Sequence, residues 1–260
     1  MSAAAVTRPG FGDEQLAELL NLLKGADSVE LKVTVPEPHH RSTITALGLD
    51  PIESQVRQVF FFDTPDLVLE TAGVIARARR IQGKGGDSTV KLRPVVPAEL
   101  PGELRKSNAF RVEVDALPGG FVCSGTLKAT PRSEDVMAAA RGELALRKLF
   151  TKEQRDYFAA HAPEGVGFKN LLVLGPIFVL KQRFTPRDLG RSLVAEVWLY
   201  PDGERILELS TRCATTEAFQ VAAETRAFLG SKGVELDGKQ QMKTRKALQY
   251  YAEASRPVTS

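Results

Sequence analysis

Alternating apolar and polar positions recur along most of the chain and predict a protein rich in β-strands. In residues 28–35 the alternation is strict, with the period of two that is typical of a strand burying one face. The same pattern predicts strands at 56–62, 74–81, 88–93, 109–116, 178–184, 193–200 and 205–213. Eight strands are therefore expected, with a glycine-rich hairpin loop between the third and the fourth.

Helical spacing predicts a smaller number of helices around these strands. Residues 13–24 place leucines on one face after an acidic first turn, which predicts a short amphipathic helix. Further helices are predicted at 39–49, 133–150, 151–161, 215–229 and 239–253, with Ser133 as an N-cap. The predicted fold class is α+β, with residues 1–25 as a tail and short helix and residues 26–255 as one domain.

Charged residues recur two positions apart, which places them on one face of each strand, while the opposite face is apolar. Helices can cover the apolar faces, so the charged faces lie either on an open sheet or inside a closed barrel. Eight strands enclose enough space for side chains or one small ligand, and the predicted architecture is an eight-stranded antiparallel β-barrel. The charged set is Glu30, Lys32, Arg77, Arg79, Lys91, Arg93, Arg111, Glu113, Asp115, Lys181, Arg183, Glu196 and Glu208.

This set contains eight basic and five acidic residues. Basic groups at such density repel one another unless an anion joins them. A phosphate chain suits them, because arginine forks match phosphate oxygens and lysine supplies a compact charge, and a divalent cation could bridge the carboxylates to that chain. Solvated strand faces with cross-strand ion pairs are the alternative, and the pattern alone leaves both open.

Composition narrows the classes of partner. Lys and Arg number 35 against 32 Asp and Glu, and a net charge of +3 is too small for a general nucleic-acid coat. Two cysteines, Cys123 and Cys213, exclude a disulfide framework and fit a reducing compartment. No apolar run approaches the roughly 18 residues of a membrane helix, and the first ten residues do not resemble a signal peptide. We expect a cytoplasmic protein with neither a membrane nor a sequence-specific nucleic-acid partner.

Several short motifs appear in the order found in the CYTH family, also called triphosphate tunnel metalloenzymes, and the sequence resembles that family over residues 28–248. They include Ser-Val-Glu-Leu-Lys at 28–32, Phe-Phe-Asp-Thr-Pro at 61–65, Ala-Arg-Ala-Arg at 76–79 and Thr-Val-Lys-Leu at 89–92. Arg-Val-Glu-Val-Asp at 111–115, Lys-Gln-Arg at 181–183 and Glu-Leu-Ser at 208–210 complete the set. The family contains class IV adenylate cyclases, thiamine triphosphatases and inorganic triphosphatases.

The resemblance implies a Mg²⁺- or Mn²⁺-dependent attack of water on a terminal phosphorus of a triphosphate. It implies that Glu30 and Lys32 are catalytic, and it assigns two larger sets of residues. The triphosphate would contact Arg77, Arg79, Lys91, Arg93, Arg111, Lys181 and Arg183. The metal ligands would be Glu30, Glu113, Asp115, Glu208 and Glu196.

Two departures from the family pattern affect the predicted metal site. Ser28 and Ser210 stand where relatives carry glutamates that help to bind metal. A binding module that holds a polyphosphate or nucleotide without cleaving it is therefore an alternative to a hydrolase, and adenylate cyclase activity is a third option. Two residues outside the motifs remain of interest: Trp198 as a tunnel-wall residue or ligand contact, and Lys243 as part of a solvated helix face or as a cap of the tunnel.

Overall fold

Nine β-strands close into a barrel in a computed structural model, which describes residues 13–236 and 243–254. The strands are β1 (Ser28–Val35), β2 (Gln55–Asp63), β3 (Val74–Ile81), β4 (Gly86–Leu92), β5 (Phe110–Leu117), β6 (Gly120–Ala129), β7 (Leu172–Phe184), β8 (Leu193–Leu199) and β9 (Arg205–Cys213). The α-helices of the described residues are α1 (Asp13–Gly25), α2 (His40–Ala46), α3 (Val68–Thr71), α4 (Gly102–Lys106), α5 (Ser133–Ala140), α6 (Lys152–His161), α7 (Ala218–Ser231) and α8 (Lys243–Ala254). Among these, no helix combines the length and apolar character needed to cross a bilayer.

The strand order around the barrel is β1-β5-β6-β4-β3-β2-β7-β8-β9, and β9 returns to pair with β1. The α+β class is confirmed, but the prediction of eight antiparallel strands is wrong on two points. The ninth strand is β6, which begins at the second residue of a glycine pair and contains a further glycine, both of which weaken the signal for a strand. In addition β1 and β5 are parallel, with Glu30 opposite Asp115. Periodicity reports a strand's faces but not the direction of its partner, so this pairing could not be predicted from the sequence.

The predicted helices are present with altered boundaries. The segment 133–150 is not one helix, because α5 ends at Ala140 and Gly142 takes a positive φ of 78°. Ser133 is not the N-cap, since that position is Arg132 and the Ser133 hydroxyl donates to the carbonyl of Lys84 instead. In the predicted 39–49 helix only 40–46 are α-helical, and residues 239–242 of the predicted last helix lie outside the described residues.

Apolar side chains pack on both sides of the barrel wall. Phe60 and Phe62 belong to the cluster outside the wall, together with residues of α1, α5 and α6. Phe61 points the other way, into an interior cluster completed by Ala247 and Leu248 of α8. The alternation of these three phenylalanines therefore follows the two faces of one buried strand, and the apolar part of the interior is filled by side chains and by α8.

The Phe-Phe-Asp-Thr-Pro motif has a structural role at the end of β2. The Asp63 carboxylate is buried and accepts backbone N–H bonds from Thr64, Leu69 and Glu70 at 2.7, 2.9 and 2.9 Å. These bonds tie the short helix α3 to the strand end and fix the connection to β3. The motif thus positions the arginine-bearing strand rather than supplying a site residue.

Candidate active site

The charged strand faces turn into the barrel, where they meet further charged residues. Of the described residues, twelve basic and six acidic side chains share the interior side, an excess of six positive charges. The basic residues are Lys32, Arg57, Arg77, Arg79, Lys91, Arg93, Arg111, Lys128, Lys181, Arg183, Arg212 and Lys243, and the acidic ones are Glu30, Asp87, Glu113, Asp115, Glu196 and Glu208. Arg111, Lys128, Arg183 and Arg212 are exposed, so they line the part of the interior that meets solvent.

Three of the predicted metal ligands form one compact acidic cluster. The parallel register of β1 and β5 places Glu30 beside Asp115 and residue 28 beside Glu113. One oxygen from each of Glu30, Glu113 and Asp115 lies within 4.8 Å of the others. Lys32 bridges two of them, with its Nζ 3.0 Å from Glu30 and 2.8 Å from Asp115.

Four cations surround this acidic cluster. Asp115, whose side chain is fully buried, pairs with Lys91 at 3.3 Å and with Arg93 in addition to Lys32. Arg212 of β9 pairs with Glu113 and lies 4.0 Å from Glu30. The three carboxylates are thus more than neutralised by side chains of the same chain.

Burial and charge shift the pKa values of this region in opposite directions. Burial alone would raise the pKa of Glu30, but Lys32 and the more distant cations outweigh it and hold that pKa at about 2. Burial lowers the pKa of Lys91 well below its usual range, and the neighbouring Arg93 adds to the effect. Glu30 is therefore ionised at neutral pH, whereas the charge on Lys91 is held less firmly.

Glu196 and Glu208 form a second acidic group, apart from the cluster. They face each other on β8 and β9 and share Lys243 of α8, whose Nζ is 2.9 Å from Glu196 and 2.5 Å from Glu208. Glu196 also pairs with Lys181 at 3.0 Å and accepts a hydrogen bond from Trp198 Nε1 at 3.2 Å. Burial would raise the pKa of Glu196, but Lys243 and Lys181 hold it well below its usual range. The structure therefore separates the five predicted metal ligands into groups of three and two.

The two serines of interest both lie beside the acidic cluster. Ser28 Oγ is 3.4 Å from Glu113 Oε1, and Ser210 Oγ is 3.5 Å from Glu30 Oε1. Each serine offers a neutral hydroxyl where the family pattern implies another carboxylate. The cluster therefore carries less negative charge than the family pattern implies.

The basic wall on β3 and β4 contains polar atoms without partners. Arg79 is held by Asp87 in a bidentate pair, with Nε 2.9 and 2.8 Å from the two carboxylate oxygens. By contrast Arg77 Nε, Thr89 Oγ1 and Arg93 Nε are buried and have no hydrogen-bond partner among the described residues. Burial, aided by Arg79, lowers the pKa of Arg77 to about 10. Unsatisfied buried donors are uncommon in folded proteins, so these atoms indicate a place for an anionic ligand.

Five interior charges did not enter the sequence-based set of site residues: Arg57, Asp87, Lys128, Arg212 and Lys243. Asp87 and Arg212 are in phase with Lys91 and Glu208 on their own strands, so alternation could have found them. Lys128 lies on the strand that was not predicted, and Arg57 has no second charge two positions away, since Gln55 and Val59 flank it on its own face. The sequence indicated Lys243 as part of a solvated helix face or as a cap of the tunnel, and only the tertiary structure brings it onto β8 and β9.

Two solved structures share this architecture. The "putative adenylyl cyclase" of Hippeastrum, described as having a dominant triphosphatase activity, matches with a TM-score of 0.61 at 16% identity, over 84% of this chain and 94% of that chain. A "putative adenylate cyclase" of Bacillus halodurans matches with a TM-score of 0.58 at 13% identity, over 85% of this chain and 97% of that one. No protein-family model and no curated protein matches the sequence. At these identities the likeness shows the fold alone, and the barrel of this chain is one that these two proteins share.

Proposed function

We propose that the barrel interior binds a triphosphate and hydrolyses its terminal phosphoryl group with the help of Mg²⁺ or Mn²⁺. The three buried, unpartnered atoms Arg77 Nε, Thr89 Oγ1 and Arg93 Nε carry this proposal, because phosphate oxygens would satisfy all three. The excess of positive charge supports it, as does the triphosphatase activity in the name of the Hippeastrum protein. Inorganic tripolyphosphate, a nucleoside triphosphate and thiamine triphosphate are the candidate substrates.

The acidic cluster fits a hard divalent cation. Glu30, Glu113 and Asp115 provide oxygen donors close enough to share one ion, and such ions bind one or two carboxylates together with water and phosphate. When bound there, the ion would polarise the terminal phosphoryl group and favour attack by water. Glu196 and Glu208 already share Lys243, so we assign them to holding that lysine rather than to binding the cation.

Each part of the interior then has its own task. The arginines and lysines of β3, β4 and β7 would neutralise and align the phosphate chain, since phosphoryl transfer depends mainly on position and charge. Lys32 would hold Glu30 and Asp115 in place for the cation. A carboxylate with a pKa of about 2 is a weak proton acceptor, so we assign Glu30 to the cation rather than to general-base catalysis.

A binding module is the second candidate, and the charges around the cluster favour it specifically. Lys32, Lys91, Arg93 and Arg212 already pair with the three carboxylates, and the two serines reduce the acidity further. Such a site could hold a polyphosphate without cleaving it.

Phosphate release from tripolyphosphate with Mg²⁺ or Mn²⁺ tests the proposal, with Glu113→Gln compared against Glu143→Gln on the surface. Release that depends on metal and is lost only in Glu113→Gln supports the hydrolase. Stabilisation by tripolyphosphate in EDTA, together with no phosphate release when Mg²⁺ or Mn²⁺ is present, supports the binding module instead. If the protein shows no phosphate release and no rise in melting temperature with tripolyphosphate, both candidate functions are refuted. Formation of cyclic AMP from ATP would favour the cyclase.

A further inference from the structure

Arg212 occupies a distinctive place at the acidic cluster. It lies opposite Glu30 in the register of β9 and β1, and its guanidinium pairs with Glu113 while lying 4.0 Å from Glu30. Its side chain is 54% exposed, whereas the Glu113 side chain is only 12% exposed. Arg212 is thus a partly solvated cation in contact with two mostly buried carboxylates.

The other cations of the cluster are held more tightly. Lys32 is 15% exposed and is fixed between two carboxylates, and Lys91 and Arg93 both pair with the fully buried Asp115. Each of these three cations is itself mostly buried, so moving any of them would take a partner from a carboxylate that has no access to solvent. Arg212 can move to solvent or to a phosphate oxygen with little change in its own hydration, because over half of its surface already faces solvent. A divalent cation would then replace Arg212 as the partner of Glu113.

A free divalent cation meets two obstacles at this cluster. One oxygen of Glu113, Oε1, is paired with Arg212, and the four surrounding cations repel a free divalent cation. A triphosphate reverses both effects, since it brings negative charge and offers oxygens that suit a guanidinium fork. The order in which metal and phosphate arrive therefore depends on where Arg212 lies.

We propose that Arg212 is a positioning residue that keeps the acidic cluster closed to free divalent cations and releases Glu113 when a triphosphate enters. The cation then binds with the phosphate or after it, never first. This inference rests on the proposed function for its physiological meaning, but its central claim concerns only Arg212, Glu113 and a divalent cation.

The decisive measurement is Mn²⁺ binding without any phosphate, followed by the loss of the free-ion EPR signal. We expect Arg212→Gln to bind Mn²⁺ at least about tenfold more tightly than the native protein, because a neighbouring like charge is removed. Arg212→Lys should remain weak, since it keeps the charge. Arg191→Gln is the matched control outside the barrel, where Arg191 pairs with Glu217 and Glu224, and it should behave as the native protein.

A double variant locates the ion. Adding Glu113→Gln to Arg212→Gln should return Mn²⁺ affinity to the native level or below, because a cluster ligand is lost. Equal Mn²⁺ affinity in the native protein and Arg212→Gln would overturn the inference, and so would tight binding that survives Glu113→Gln. Melting with tripolyphosphate in EDTA is a separate arm: absence of stabilisation there counts against the proposed function, whereas the role of Arg212 stands or falls with the Mn²⁺ affinities.

Discussion

Replacing Lys243 by methionine tests whether α8 is held to the barrel interior by charge. The lysine is the shared partner of Glu196 and Glu208, and its ammonium also lies 4.9 Å from the centre of the Trp198 ring. Methionine keeps the apolar stem that packs against this ring but removes the charge. The hydrogen bond from Tyr200 Oη to the backbone carbonyl of residue 243 is unaffected, so the change isolates the ammonium group.

The expected loss follows from the burial of all three partners. The side chains of Lys243, Glu196 and Glu208 are only 18%, 12% and 7% exposed, so solvent screens their interaction little. Removing one partner of a buried ion pair typically costs 3–5 kcal/mol, and Lys181 continues to neutralise Glu196, so we expect about 3 kcal/mol. In a domain of this size that loss lowers the melting temperature by roughly 6–12 °C.

Equilibrium unfolding in urea, in a double-mutant cycle with Glu208→Gln, measures this energy. The double variant should be more stable than Lys243→Met alone, with a coupling energy of about 2 kcal/mol, because the carboxylate without a partner has been removed. Lys152→Met is the control, since its pair with Asp156 is fully on the surface and should contribute at most about 0.5 kcal/mol. A loss below about 1 kcal/mol for Lys243→Met, or additive single effects, would refute the reasoning.

Three further predictions concern the tunnel wall and its supports. Arg77→Gln should weaken tripolyphosphate binding by about 10- to 100-fold in calorimetry, as expected for one charged hydrogen bond, while Arg191→Gln should leave it unchanged; equal affinities would contradict the role of Arg77. Asp63→Ala should lower the free energy of unfolding by about 2 kcal/mol, because three backbone N–H groups lose their acceptor, and unchanged stability would show that water replaces it. Gly125→Ala should cost about 1–3 kcal/mol, since the new methyl would lie 2.8 Å from Tyr157 Oη, and Tyr157→Phe should restore part of that loss in the melting temperature of the double variant; the absence of any such recovery would place the strain elsewhere.

The sequence was sufficient for the faces of most strands. A period of two places Glu30 and Lys32, or Arg77 and Arg79, on one side whatever the strand pairs with, because successive side chains point to opposite faces. The apolar residues on the other side require cover, and the helices provide it. A charged face on most strands, with a basic excess, therefore followed from local pattern and composition, whereas the choice between an open sheet and a closed barrel did not.

The sequence did not contain enough information for β6. Its outer positions are apolar but include Gly125, which disfavours a strand, and among its inner positions Val122, Ser124, Thr126 and Lys128 only the last is charged. The pair of charges two positions apart that marks the other strands is therefore missing. This segment forms a strand because β4 and β5 pair with it on both edges. Lys128 was not predicted to face the interior because its strand was not predicted.

Tertiary structure alone decided how the charges are grouped. The parallel pairing of β1 and β5 unites Glu30, Glu113 and Asp115, and α8 returns from the end of the chain to place Lys243 between Glu196 and Glu208. These contacts join residues far apart in sequence, and local periodicity carries no information about which distant strands or helices become neighbours. The sequence by itself determined that most strands carry one charged face with an excess of basic residues. The fold determined that these faces line a closed interior, and that three of the carboxylates cluster on β1 and β5 while two share Lys243.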